Sequence, residues 1–112
     1  MEYFWKSGPV ERGTGAIHGS DGQSVSCTYS IQRREKFGRH SGVESPVGFH
    51  DFNATITSAI TRETFSWMGP GSTVELELEL ADGRRAGIFV KSSSPMTNTQ
   101  EYMLKGDVPV AQ

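Results

Sequence analysis

Cysteine, long apolar runs and an excess of one charge sign are all scarce in this chain. Cys27 is the only thiol among 112 residues, which excludes an intramolecular disulfide framework and a cysteine-rich zinc site. The longest apolar run, 86–90, is far shorter than the ~20 residues that a membrane helix needs. The net charge of −2 does not suit a protein that neutralises phosphates, so we expect no nucleic-acid partner.

These absences indicate a small domain in a reducing compartment. Residues 1–8 contain aromatic side chains but no basic leader followed by an apolar segment. We therefore expect a cytoplasmic protein that has no membrane association. At this length the chain is expected to form one domain, spanning 1–112.

The composition favours β-strands over helices. Val and Ile together number 13 against 10 for Leu and Ala, and Ser and Thr together number 22. Branched side chains suit a pleated, half-buried surface better than a helix. We therefore predict an all-β fold.

The clearest pattern lies at 74–91, where apolar residues alternate with three glutamates ahead of the loop Ala81-Asp82-Gly83. A period of two predicts a strand with one buried and one exposed face. A three-residue loop places apolar residues opposite one another, whereas a two-residue loop does not. The predicted pairs are Leu80 with Arg84, Leu78 with Ala86, Leu76 with Ile88 and Val74 with Val90.

A second hairpin of the same kind is predicted around the loop Ser20-Asp21-Gly22. Its three-residue register pairs Ile17 with Val25 and His18 with Ser24. The register also places Gly13 and Gly15 opposite Tyr29 and Cys27. Glycines at such positions predict a sharp bend, as where a sheet curls toward closure.

The remaining segments are assigned by alternation and by turn residues. They are a polar connection at 32–50, a strand at 52–60, a turn at 67–72, a short helical turn near 96–101, a last strand at 102–106, and less ordered ends at 1–12 and 107–112. Six strands at this spacing favour a small closed antiparallel barrel, because closure removes exposed strand edges. An orthogonal β-sandwich is the alternative.

A basic cluster within the predicted connection is the candidate ligand site. Guanidinium groups on a flexible loop can hold a phosphate or carboxylate bidentately. The alternative interpretation is a solvated loop that keeps the protein soluble. The candidate residues are Arg33, Arg34, Lys36, Arg39 and His40.

Aromatic residues outside the alternating strands form the second candidate site. They either close the ends of the barrel or remain exposed as a surface for a partner chain or an apolar ligand. The candidates for an interaction surface are Tyr3, Phe4, Trp5 and Trp67, with Phe37, Phe49 and Met68 also unassigned to the core.

The sequence presents no set of residues with the spacing of a metal site or a catalytic centre. Adjacent residues on a strand point to opposite faces, so His50 and Asp51 are not expected to act together. Cys27 shares the apolar face of its strand and is expected to be a small buried hydrophobe. We therefore predict neither an enzyme, nor a bound metal, nor a cofactor.

The leading hypothesis is a non-catalytic β-barrel module that binds a partner protein or a small ligand. One alternative is an anion-binding or nucleotide-binding domain, cyclic nucleotides included, that uses the basic segment 33–40. Another is a structural subunit that associates with itself or with a larger assembly. The fold alone does not decide among them.

Overall fold

The computed structural model describes residues 1–69 and 71–111. Within them the chain forms six antiparallel strands and one short helix, which confirms the predicted all-β fold. Pro70, in the predicted turn 67–72, and Gln112, in the predicted C-terminal end, lie outside the described residues. The elements are β1 Glu2–Gly19, β2 Ser24–His40, β3 Val43–Ala59, α1 Arg62–Ser66, β4 Leu76–Glu79, β5 Arg85–Ser94 and β6 Thr99–Leu104.

The six strands form a closed antiparallel ring in the order β1-β2-β3-β6-β5-β4, which we call the barrel. Both predicted hairpins are confirmed, with Ile17 paired to Val25 and Leu78 paired to Ala86. The loop glycines Gly22 and Gly83 have φ values of 89° and 91°. This left-handed conformation is open to glycine because it lacks a Cβ.

Two predictions about irregular segments are wrong. Residues 32–50, expected to be a polar connection, lie in β2 and β3 and are joined by a tight turn at Ser41 and Gly42. Residues 2–12, expected to be a less ordered end, lie in β1. These strands carry charged and aromatic side chains on both faces, so they lack the apolar period that identifies a half-buried strand.

The helical turn predicted near 96–101 is also wrong. Residues 95–98 form a hydrogen-bonded turn and β6 follows at Thr99. The helix is α1 instead, where the amides of Thr61 and Thr64 each bond the other residue's hydroxyl. A capping box normally has Glu or Gln in the place of Thr64, which hides the pattern in the sequence. No helix among the described residues is long and apolar enough to cross a bilayer.

The core fills the interior of the barrel. Trp67 caps one end, only 5% exposed, with its indole nitrogen 3.0 Å from Asp21 Oδ2. Its predicted place on an interaction surface is therefore wrong. The buried hydrophobic residues are Ile17, Cys27, Tyr29, Ile31, Ile56, Trp67, Leu76, Leu78, Leu80, Ala86, Ile88, Tyr102 and Val108.

Two glycines in β1 allow the ring to close. The Tyr29 side chain lies against Gly13 and Gly15, and its hydroxyl accepts a 3.0 Å hydrogen bond from the amide of Ala81. A Cβ on Gly15 would lie 2.2 Å from the carbonyl oxygen of Glu79. The predicted bend at these glycines is thus the place where β1 meets β4.

We expect Gly15→Ala to lower the free energy of unfolding by about 1–3 kcal/mol, because its methyl group overlaps the β4 backbone. Urea denaturation measures this loss. Gly87→Ala is the matched control, since its Cβ would lie 3.6 Å from the flexible Lys105 side chain. Equal losses in the two variants would contradict this role of Gly15.

Candidate functional site

The candidate site lies on a three-stranded projection that we call the arm. It consists of residues 2–12 of β1, 30–40 of β2 and 43–53 of β3. Within β1, only residues 16–19 pair with β4. Within β3, only residues 56–59 pair with β6. The other halves of the long strands therefore extend beyond the barrel, and the molecule measures 57 × 27 × 25 Å.

The two edges of the arm are poorly suited to pairing with another strand. Pro9 lies in the β1 edge and Pro46 in the β3 edge, and proline has no amide proton to donate to a ladder. Each edge strand also carries a register shift, between Ser7 and Val10 in β1 and opposite residues 35–37 of β2 in β3. Such features discourage edge-to-edge association, so the faces of the arm become the surfaces to consider.

One face, which we call the inner face, continues the barrel interior. Near the tip of the arm, Phe4 and Phe37 stack with ring centroids 6.1 Å apart. Lys6 Nζ lies 4.7 Å from the Phe37 centroid and Arg39 lies 5.0 Å from that of Phe4. Cations above aromatic rings are favourable contacts, so the polar side chains cover these rings.

Carboxylates complete this covering of the inner face. Glu44 is 2.7 Å from Lys6 Nζ and 2.6 Å from Arg39 Nη2, and Glu2 is 3.1 Å from Arg39 Nη1. The hydrogen bond from Lys6 lowers the pKa of Glu44 most, and the hydrogen bond from Arg39 lowers it further. The tip of the inner face is thus occupied by the protein's own side chains.

The opposite face, which we call the aromatic face, is largely uncovered. Tyr3 is 57% exposed, Trp5 43% and Phe49 65%, and Met1 lies beside them. Lys36 Nζ lies 5.1 Å from the Tyr3 centroid and 5.9 Å from that of Phe49. Among the described residues Lys36 has no carboxylate within ion-pair distance.

A second cation on the aromatic face is already paired. Arg34 forms a two-point contact with the carboxylate of Asp51 across the β2–β3 pair, with Nε 2.8 Å from Oδ1. This contact lowers the pKa of Asp51. The guanidinium carbon of Arg34 lies over the Trp5 ring, 5.0 Å from its centroid.

The predicted residues are divided between the two faces. Alternation along β2 places Arg34, Lys36 and His40 on the aromatic face and Arg33 and Arg39 on the inner face. The expected flexible basic loop is therefore wrong, because these residues lie in a strand. Of the predicted aromatic group, Tyr3 and Trp5 share the aromatic face, and Phe4 lies on the inner one.

Strand pairing supplies the partners that sequence analysis missed. Asp51 lies opposite Arg34, and Glu44 lies opposite Arg39. Acidic residues spaced along 44–51 after the basic run 33–39 were the available signal for a hairpin with matched charges. Without the turn at 41–42 assigned, their register could not be derived.

The thiol and histidines lie away from one another. Cys27 is 3% exposed and its pKa is raised by burial, as expected for a small buried hydrophobe. His50 Nε2 lies 3.0 Å from Asp107 Oδ2, and His18 Nε2 lies 2.9 Å from Glu79 Oε1. In 1–69 and 71–111 no three His, Cys, Asp or Glu side chains form a group that could hold a metal ion.

Comparison with protein-family models, curated proteins and solved structures found no match to this chain.

We expect Lys6→Gln to raise the pKa of Glu44 toward its ordinary value of 4.5, because the amide cannot supply the positive charge. Carboxyl-carbon NMR titration measures this change. A lowered pKa contributes stability above the unfolded-state pKa that is lost as the pH falls through the folded-state value. Wild type should therefore lose more arm stability than the variant on acidification below 4.5.

Lys91→Gln on the barrel is the control, because its partner Glu101 is remote from the arm. An unchanged Glu44 titration in Lys6→Gln would show that the Lys6 contact is absent in solution.

Proposed function

We propose that this protein is an interaction module that binds a partner protein through the aromatic face of its arm. The observation that carries the proposal is the grouping of Met1, Tyr3, Trp5 and Phe49 on one uncovered sheet face. A sheet normally buries at least one face against another layer. The tip of the inner face is covered by its own ion pairs, whereas Tyr3 and Phe49 on the aromatic face stay more than half exposed.

The size of this face suits a modest interface. The exposed parts of these four side chains amount to on the order of 500 Å² of mostly apolar surface. Covering them with a partner of equal area would bury about 1,000 Å² in all, near the lower limit for a specific interface. Tyr and Trp are frequent at the centres of such interfaces, where they contribute most to affinity.

Charge defines the partner more closely. Lys36 lies between Tyr3 and Phe49 and has no carboxylate partner in 1–69 or 71–111, while Arg34 is paired with Asp51. A partner that places an Asp or Glu carboxylate at Lys36 and apolar side chains around it would complement this face. The proposed partner is therefore an apolar protein surface with an acidic residue near its centre. We place the encounter in the cytoplasm, because a reducing compartment suits a chain with one buried thiol.

Site-specific photocrosslinking tests the proposal. A benzophenone amino acid replaces Phe49 on the aromatic face, and in a matched control it replaces Phe89, which is 42% exposed on the barrel. We expect one protein to crosslink from position 49 in native cells and not from position 89. Crosslinks of equal yield at both positions, or only to a second copy of this chain, would contradict a distinct partner.

Binding of the purified partner provides the quantitative test. We expect Trp5→Ala to raise the Kd by about 30-fold or more, as for the loss of a central aromatic contact. Lys36→Gln should weaken binding less and reduce its dependence on salt, because it removes one charge pair. Phe89→Ser is the control. Unchanged affinity in Trp5→Ala would exclude the aromatic face as the binding surface.

A further inference from the structure

We propose that the base of the arm holds a second, independent site, which binds a small monocarboxylate through Arg33. The site is a cavity of about 200 Å³ on the inner face, where the arm joins the barrel. It does not depend on the aromatic face, which lies on the other side of the same strands.

The walls of the cavity are mostly apolar. Ile31 and Val108, exposed by 2% and 5%, belong to the core, and half-buried Phe52 pairs directly with Arg33. Residues 109–111 of the C-terminal segment close one side. An apolar group placed here would therefore extend the hydrophobic core of the barrel.

A β-bulge opens the cavity toward Arg33. Ser7 pairs with Arg34 and Val10 pairs with Gln32, so that Gly8 and Pro9 together lie opposite Arg33 alone. Bulges re-aim side chains and occur often beside binding sites. Arg33 and Pro9 line both the 200 Å³ cavity and an adjoining hollow of about 340 Å³ along the arm.

Arg33 has donors to spare, and the other arginine of the cavity does not. The only ion-pair contact of Arg33 among the described residues is Nη1 to Glu35 Oε2, at a long 3.3 Å. Arg84, by contrast, holds Asp82 at 2.8 Å, Glu11 at 2.6 Å and the carbonyl oxygen of Pro109 at 2.7 Å.

The cavity thus combines Arg84, whose charge is shared by Glu11 and Asp82, with one lightly engaged guanidinium, that of Arg33. A guanidinium can bind a carboxylate through two parallel hydrogen bonds. Lys6, which lines the adjoining hollow, is held by Glu44 and adds no uncommitted charge.

The volume sets the size of the ligand. An apolar cavity of about 150 Å³ can accept benzene, so about 200 Å³ has room for a ring or short chain with a carboxylate at its mouth. The apolar walls favour an organic acid over inorganic phosphate, because phosphate has no apolar surface to bury in the cavity. The proposed ligand class is a monocarboxylate of about six to eight carbons in all, aromatic or aliphatic.

The first experiment titrates the labelled full chain with benzoate and hexanoate and follows the backbone amides by NMR. We expect saturable shifts at Ile31, Arg33 and Phe52 with at least one of the two acids, which distinguishes a ring from a chain. Benzyl alcohol lacks the charge and acetate lacks the body, so each should bind at least about tenfold more weakly.

The second experiment uses variants of the guanidinium. Arg33→Gln should weaken binding at least about tenfold, and Arg33→Lys, which keeps the charge but not the two-point geometry, should lie between it and wild type. Arg62→Gln, an exposed arginine on α1, is the control. The amide spectrum of each variant reports whether the fold is retained.

Several results would overturn the inference. They are the absence of saturable shifts at the cavity, equal affinity for benzoate and benzyl alcohol, and unchanged affinity in a folded Arg33→Gln. Equal loss in Arg33→Gln and Arg62→Gln would show non-specific attraction of anions. None of these results bears on partner binding by the aromatic face, so the two proposals fail separately.

Discussion

Closure of the ring depends on the space that two glycines leave along β1. The Tyr29 ring lies where side chains at Gly13 and Gly15 would be, and its hydroxyl reaches the loop between β4 and β5. Gly15 also lets the β4 backbone approach β1, because a Cβ there would overlap the carbonyl oxygen of Glu79. β4 is short, so closure involves only one end of the long strands. The short β1–β4 contact thus closes the barrel at one end of β1 and leaves the other end free to form the arm.

The barrel could be predicted from the sequence because its strands have one buried apolar face and one more exposed polar face. Leu76 and Leu78 alternate with glutamates, and this two-residue period gives both the strand and its register. The arm could not be predicted in this way. Around Phe37 and Lys36, charged and aromatic residues occupy both faces, so no apolar period remains to reveal a strand.

The candidate site was predicted in composition and not in arrangement. The basic residues and the terminal aromatic residues were identified as two separate candidates, one on a loop and one at an end. Strand pairing instead interleaves them, with Arg34 beside Trp5 and Lys36 beside Tyr3. These neighbours are separated by about 30 residues in the chain, and the β1–β2 hairpin around residues 20–22 brings them together because its ladder continues past the bulge between Ser7 and Val10.

The arm has no second apolar layer packed against it, so we expect it to unfold less cooperatively with the barrel. Its contacts are largely backbone ladders, exposed ion pairs and rings under cations, whereas the barrel encloses a continuous apolar core. Ion pairs at the surface contribute little free energy and are weakened by salt. We therefore expect the arm to open locally at a smaller cost in free energy than the barrel. If the arm binds a partner as proposed, the apparent affinity is reduced by the fraction of molecules in which the arm is open, and added salt raises that fraction.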